Sequence, residues 1–233
     1  MPYVLMYHSV EKCDSDPLHI TVSPARFAQQ LRWLDDRRLT GVSMRDLLRA
    51  RAAGNAAGLV GLTFDDGYAD FIGEVVPVLL RLRFTATVFV VSGLLGEHNV
   101  WDAGAPRKAL MDAEGVRWAA MQGMEVGSHS AGHRSLTGLG DADLRHEVAD
   151  SKKALEDALG LEVSGFCYPY GHVAEREAEA VRRAGYSYAC AIWRSPVTGT
   201  HALPRTYVGE RDGALRLWAK RARHRVRWAR GAR

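Results

Sequence analysis

Two rhythms of apolar residues alternate along this sequence. Short runs rich in β-branched and aromatic residues read as buried strands. Longer stretches with apolar residues three and four apart read as helices with one face turned inward. Pro2 to Tyr7 is the first strand-like run. Ser23-Pro24 then marks a helix start: a hydroxyl able to cap orphan backbone N–H groups, and a proline preset for the first helical position. Phe27, Leu31 and Leu34 supply that helix with its inner face. A shorter helix follows Ser43, with Met44, Leu47 and Leu48 inside. Leu59 to Asp65 is the next strand, and Tyr68 to Arg81 a helix with a kink expected at Pro77, which has no N–H for the helical ladder. Thr85 to Val91 has the composition of a central strand. Met124 to His129 is another. Asp141 is expected to cap a long helix with Leu144, Val148, Ser151, Leu155 and Leu159 on one face and Gly160 ending it. Gly165 to Tyr168 reads as a strand, and a helix over about 175–184 stops at Gly185. Ser187 to Trp193 and Leu203 to Val208 bring the strand candidates to seven. The stretch from Trp101 to Trp118 has no readable period and is left as loop.

Strands alternating with helices predict a parallel sheet covered by helices. Seven repeats in one unit favour a barrel over an open sheet. In such barrels reactive groups stand at the C-terminal ends of strands. Every candidate side chain should therefore lie where a strand has just ended.

Composition adds little to this picture, and charge adds more. With 233 residues, 47% apolar and 25% charged, the chain can bury a full core and does not resemble a disordered one. No run approaches the roughly 20 apolar residues of a membrane helix. The start, Met-Pro-Tyr-Val-Leu-Met, lacks a basic leader with a long apolar segment, so a cytoplasmic protein is expected. Cys13, Cys167 and Cys190 show no paired spacing and are expected as reduced thiols. The net charge is +4, yet Arg216 to Arg233 alone carries +8 with no acid, which leaves −4 on residues 1–215. Residues 1–212 are thus expected to form one catalytic domain, and 213–233 a basic tail. Leu215, Trp218, Ala222, Val226 and Ala229 recur near helical spacing there. The tail is either a solvated terminal helix or a basic amphipathic one able to touch an anionic membrane. Nothing else points to nucleic acid.

Four strand ends carry candidate chemistry. Thr63-Phe64-Asp65-Asp66-Gly67 ends one strand with two carboxylates, whose side chains point to opposite sides of an extended chain. His129-Ser130-Ala131-Gly132-His133 ends another, and two histidines at that spacing can converge on one ion. One carboxylate and two imidazoles leave positions open for water and substrate, as a catalytic metal requires. Cys167-Tyr168-Pro169-Tyr170-Gly171 offers a rigid aromatic wall of the kind on which sugars stack. Tyr7-His8 follows the first strand; a lone histidine there is more often structural than catalytic.

Taken in this order, these motifs over residues 1–208 resemble the polysaccharide deacetylase family, the NodB-homology or carbohydrate esterase family 4 enzymes. The resemblance implies a distorted (β/α)7 barrel and removal of an N-acetyl group from an N-acetylated sugar. It implies Asp65 as general base and Asp66, His129 and His133 as ligands to a divalent metal, most often Zn2+, with Co2+ or Ni2+ able to serve. It implies that the backbone N–H of Tyr170 helps hold the oxyanion. Two departures stand out. The family's third motif usually begins with an arginine that orients the catalytic aspartate, and here that place holds Cys167. The late Leu-x-His motif, source of the acid histidine, reads Leu203-Pro204-Arg205. A subgroup takes its acid histidine from an N-terminal Tyr-His element, which Tyr7-His8 resembles. His8 is therefore expected as the acid and Arg205 as the partner of Asp65, with His201 as the alternative acid. A small glycoside, a glycan precursor or an amino-sugar natural product is the expected substrate. Hydrolysis of a non-sugar amide on the same metal, or another metal-assisted reaction, is the alternative. An inactive sugar-binding relic is disfavoured because all four acid and histidine positions are filled.

Overall fold

The structure, a computed structural model, describes residues 1–192 and 195–229. Its strands are β1 (Val4–Tyr7), β2 (Ser9–Val10), β3 (Thr21–Val22), β4 (Thr40–Val42), β5 (Leu59–Phe64), β6 (Thr87–Val90), β7 (Glu125–Ser128), β8 (Gly165–Cys167), β9 (Tyr188–Cys190) and β10 (Thr206–Tyr207). Its helices are α1 (Pro24–Asp35), α2 (Met44–Ala52), α3 (Val76–Leu82), α4 (Ala113–Met121), α5 (Asp141–Arg145), α6 (Ser151–Leu159), α7 (Glu175–Arg183) and α8 (Ala214–Ala229).

Seven strands run parallel in the order β10-β1-β5-β6-β7-β8-β9. They are the seven that the apolar runs predict, each trimmed at its ends. Trp193, placed by the sequence in the strand that includes β9, lies outside the described residues. The segment 203–207 brings the two ends of the sheet together. Leu203 bridges Cys190 of β9, while Thr206 and Tyr207 pair with Leu5 and Met6 of β1. The result is the distorted (β/α) barrel expected. β4 is an addition: it pairs with the first half of β5, and β6 takes the second half.

Local chemistry explains the helix starts. Ser23 and Ser43 accept from the N–H groups of Arg26 and Asp46 at 3.3 and 3.1 Å, capping α1 and α2. Gly160 closes α6 in the left-handed conformation, at φ 66°. Three expectations need correction. The N-cap of α5 is Gly140; Asp141 is its first helical residue, and its carboxylate binds Arg176 instead. The helix expected from Tyr68 is a wide π-turn over Phe71–Val75 that leads into α3. Pro77 lacks the N–H that would bond back into that turn, so the wider winding costs no hydrogen bond there. Finally, α4 lies in the stretch left as loop; Asp112 caps it by accepting from the Gly115 N–H at 2.8 Å.

The core fills the barrel and the space beneath its helices. Tyr7, Phe27, Phe64 and Phe71 form one ring cluster with centroids 5.1–5.8 Å apart. α8 joins this core through fully buried Leu217 and through His224, whose ring lies 4.9 Å from that of Tyr3.

One buried acid gives the fold a pH signature. Burial pushes the carboxyl of Asp70 up to about 6, although the Ser9 hydroxyl donates to it at 2.5 Å and the Val10 N–H also pulls it down. A raised carboxyl pKa means that the folded state holds this proton more tightly. Its stabilising contribution is whole below the ordinary value of 3.8 and is lost as pH rises through about 6. At about 1.4 kcal/mol per pH unit, the loss is at most about 3 kcal/mol. Asp70→Asn should therefore equal or trail the wild type at pH 4 and surpass it by about 1–3 kcal/mol at pH 8. Urea midpoints at the two pH values test this. A difference between the chains that does not change with pH would refute it.

Candidate active site

The side chains singled out in the sequence meet at one end of the barrel. Asp65 and Asp66 follow β5, His129 follows β7, Tyr170 follows β8 and His8 follows β1. Arg205 breaks the strand-end rule, because it stands just before β10. Its length resolves the exception: the guanidinium rises through the barrel interior and reaches the group from below.

Backbone strain marks the same place. Asp66, Ser130, His133 and Tyr170 have φ of 72°, 69°, 56° and 59°, in the left-handed region that costs a non-glycine residue about 1–2 kcal/mol. Surrounding bonds hold these turns in place. Glu147, fully buried, accepts from the N–H groups of Ala131 and Gly132 at 3.1 and 2.8 Å. Ser130 Oγ accepts from the His133 N–H at 3.0 Å, and the N–H of Gly93 donates to the Ala131 carbonyl at 2.9 Å. A Cβ at Gly93 would lie 2.7 Å from that carbonyl, so only glycine allows the approach.

Asp65 is gripped by a fork. Arg205 Nη1 donates to one carboxylate oxygen at 2.6 Å and Nη2 to the other at 2.7 Å. The remaining donors are also used. Nη1 meets Thr63 Oγ1 at 3.1 Å, Nη2 meets Cys167 Sγ at 3.0 Å and Nε meets the Ala191 carbonyl at 3.3 Å. Burial alone would raise the carboxyl of Asp65. The charge and hydrogen bonds of Arg205, with His129 and His8, outweigh it and hold the group below its ordinary value. His8 Nε2 lies 3.9 Å from the Asp65 oxygen that Nη2 holds. His201 is not at this site: its Nε2 lies 2.8 Å from the Tyr186 carbonyl, ahead of β9.

Asp66 faces the two histidines. Its Oδ1 lies 3.3 Å from His129 Nε2 and 3.2 Å from His133 Nε2. His129 Nδ1 lies 2.8 Å from the Cys167 carbonyl, which can only accept, so that nitrogen carries a proton. In the neutral ring Nε2 then turns a lone pair toward the carboxylate, an arrangement that a shared cation reconciles. Asp66, His129 and His133, with ligand atoms all within 4.8 Å of one another, thus suit a divalent metal. Asp65, His129 and Cys167 meet the same distance test, but the Arg205 guanidinium lies against both Asp65 and Cys167 and would repel a cation there.

Two residues escaped the sequence reading. Trp101 stacks on the His133 ring at 4.2 Å and 19°, and Tyr170 meets the same ring edge-on at 4.9 Å. Asp102 beside it is a further acid at the rim. Burial raises its carboxyl, Asp66 adds to the rise, and Asn99, His133 and His8 oppose it.

The model of a known family, described as polysaccharide deacetylase, matches residues 53–189, more than half of the chain. The chain belongs to the polysaccharide deacetylase family. This polysaccharide deacetylase is 27% identical over 186 residues to "Putative polysaccharide deacetylase YxkH" of Bacillus subtilis, covering 78% of this chain and 61% of that protein. It is 20% identical over 200 residues to the poly-beta-1,6-N-acetyl-D-glucosamine N-deacetylase of Staphylococcus aureus, covering 82% and 68%. Solved structures share the fold. The Streptococcus pyogenes deacetylase PplD, in complex with acetate, superposes with a TM-score of 0.79 at 23% identity over 94% of this chain and 97% of that one. IcaB from Ammonifex degensii gives 0.76 at 25% identity over 94% and 95%. Within the family-matched range lie Asp65, Asp66, His129, His133 and Tyr170; His8 and Arg205 fall outside it.

Proposed function

We propose that this chain hydrolyses the acetamide of an N-acetylated amino sugar, with a divalent cation held by Asp66, His129 and His133. The observation that carries the reading is the pairing of that buried ligand triad with a neighbouring carboxylate, Asp65, clamped by Arg205. One carboxylate and two imidazoles suit Zn2+, and also Co2+ or Ni2+. Such a cation polarises a carbonyl oxygen and lowers the pKa of water.

The chain's own groups supply the rest. Asp65 takes the proton of the attacking water; a positioned base contributes about 10²–10⁴-fold. The Arg205 fork fixes the direction of both Asp65 oxygens. His8 Nε2, 3.9 Å from Asp65, passes a proton to the departing amine, a task that suits imidazole at neutral pH. The Tyr170 N–H supports the oxyanion, an effect of about 3–4 kcal/mol per donor in other enzymes. Trp101 and Tyr170 flank His133 and offer the sugar two aromatic faces.

The S. aureus relative, by its name, acts on an N-acetylglucosamine polymer. That supports an N-acetylglucosamine unit as the reacting sugar. We favour a small glycoside, a glycan precursor or an amino-sugar natural product over the mature polymer. The test is acetate release by the metal-loaded protein from N-acetylglucosamine, small glycosides, lipid-linked and nucleotide sugars and chitin oligomers, with a chelated control. Chelator-sensitive release from one class supports the reading and names the class. Stoichiometric metal with no release from any of them would move the reaction to a non-sugar amide. Asp65→Asn should keep its metal yet lose about 10²-fold or more in kcat. His8→Ala should lower kcat more than it raises KM, and a wild-type kcat there would dismiss His8 as the acid.

A further inference from the structure

The outer face of α8 has no part in this chemistry. Leu217 buries one side of the helix against the core, and the His224 ring lies there against that of Tyr3, tilted by 52°. Lys220 reaches Asp212 and the Tyr207 carbonyl. At about 100° per residue, Leu215, Trp218, Ala222 and Val226 fall on the opposite side. Leu215, Trp218 and Val226 are 78%, 59% and 57% exposed, a large apolar cost in water for one short helix.

Arginines edge this stripe on both sides. Arg216 and Arg223 lie along one border, and Arg225 along the other, with Arg221 beyond it. All project from a helix without a single acid. Arg216, Arg223 and Arg225 are exposed, and none forms an ion pair with a carboxylate among the described residues. The basic segment 216–233 carries +8 against −4 on the rest of the chain. Arg230 and Arg233 lie outside the described residues.

We infer that α8 is a membrane-surface helix that binds bilayers containing anionic phospholipid. An apolar stripe with a tryptophan, with cations on both borders, matches the interface layer by layer: acyl carbon under the stripe, phosphates beside its edges. Exposed arginines near such a surface each add attraction, and the attraction weakens with salt. Among the described residues no helix is long and apolar enough to cross a membrane. α8 would therefore lie along the surface, with the barrel docked on its inner side. Its first turn joins the catalytic end of β10 through residues 208–213, so the reaction centre would sit close to the lipid headgroups. The inference does not depend on the deacetylase reading.

The test is co-sedimentation of the whole chain with vesicles of phosphatidylcholine, with and without ~25% phosphatidylglycerol. Binding to the anionic vesicles, at least about 10-fold stronger than to the neutral ones, is expected. Leu215→Ser with Trp218→Ser, and separately Arg223→Gln with Arg225→Gln, should each weaken it about 10-fold. All four side chains are exposed, so the thermal midpoint should hold in both variants. Equal binding to both vesicles would overturn the inference, as would undiminished binding by the serine variant. A dimer in sedimentation velocity that Trp218→Ser dissolves, with no vesicle binding, would assign the face to a second copy of the chain and overturn it too.

Discussion

Alanine at Asp66, His129 or His133 is expected to remove bound metal and acetate release together. Each side chain gives one donor to a triad whose atoms lie within 4.8 Å of one another. Two donors hold a divalent ion far less well than three, because each lost ligand removes both a bond and a fixed direction. Metal assistance is worth several kcal/mol in hydrolysis, so the loss in kcat/KM should reach about 10³-fold. The three positions differ in their side effects. His129→Ala also strips the Cys167 carbonyl of its donor, and Asp66→Ala puts alanine at φ 72°. Asp66→Asn avoids that strain, since asparagine tolerates this conformation, and should still bind metal weakly. Metal content after equilibrium dialysis, read beside acetate release, makes the measurement. Full metal in all three alanine variants would remove the triad from the mechanism.

The second large effect belongs to Arg205. Arg205→Met leaves the Asp65 carboxylate buried without its fork, and breaking a buried pair from one side costs about 3–5 kcal/mol. The carboxyl should at the same time rise toward neutrality, because burial acts on it unopposed by the guanidinium. Arg205→Lys keeps a charge but forfeits the two-pronged grip and should fall between the two. A more specific test concerns Cys167, whose small thiol lies 3.0 Å from Nη2 in the place where the family resemblance leads one to expect an arginine. Cys167→Arg alone should crowd the buried site. Combined with Arg205→Ala, it should recover part of the activity that Arg205→Ala loses. Simple addition of the two losses would show that the positions do not exchange this role.

How far the sequence reaches is clear from individual elements. β5 and β8 are largely apolar and β7 is short but buried throughout; each ends in a polar or glycine turn, and the reactive residues stand on those turns. Their placement needs only the alternation of strand and helix. Arg205 is harder, because nothing in a strand-end rule anticipates a side chain that comes from beneath. The absence of arginine at 167 is the hint that another one must serve. Trp101 and Asp102 lie in a stretch without period, and only the tertiary fold brings them to His133. α4 has a weak apolar pattern because Gly115 interrupts it and its buried residues are small, and Asp112 followed by Val116 and Ala119 is its one readable signal. Glu147 sits on the π-turn His146–Asp150 that joins α5 to α6, in a stretch whose sequence looks merely amphipathic. Its bonds to the turn after β7 cross parts of the chain that no local pattern connects.

Arg205 also ties catalytic competence to the order in which the chain is made. It belongs to the segment that joins β9 to β1, the last piece of the ring to be synthesised. A nascent chain that has emerged only as far as β9 holds both aspartates and both histidines, yet Asp65 lacks the Arg205 fork that grips both of its oxygens. Burying that carboxylate is unfavourable until residues 203–207 arrive. The segment that closes the barrel is thus also the one that delivers the fork to Asp65.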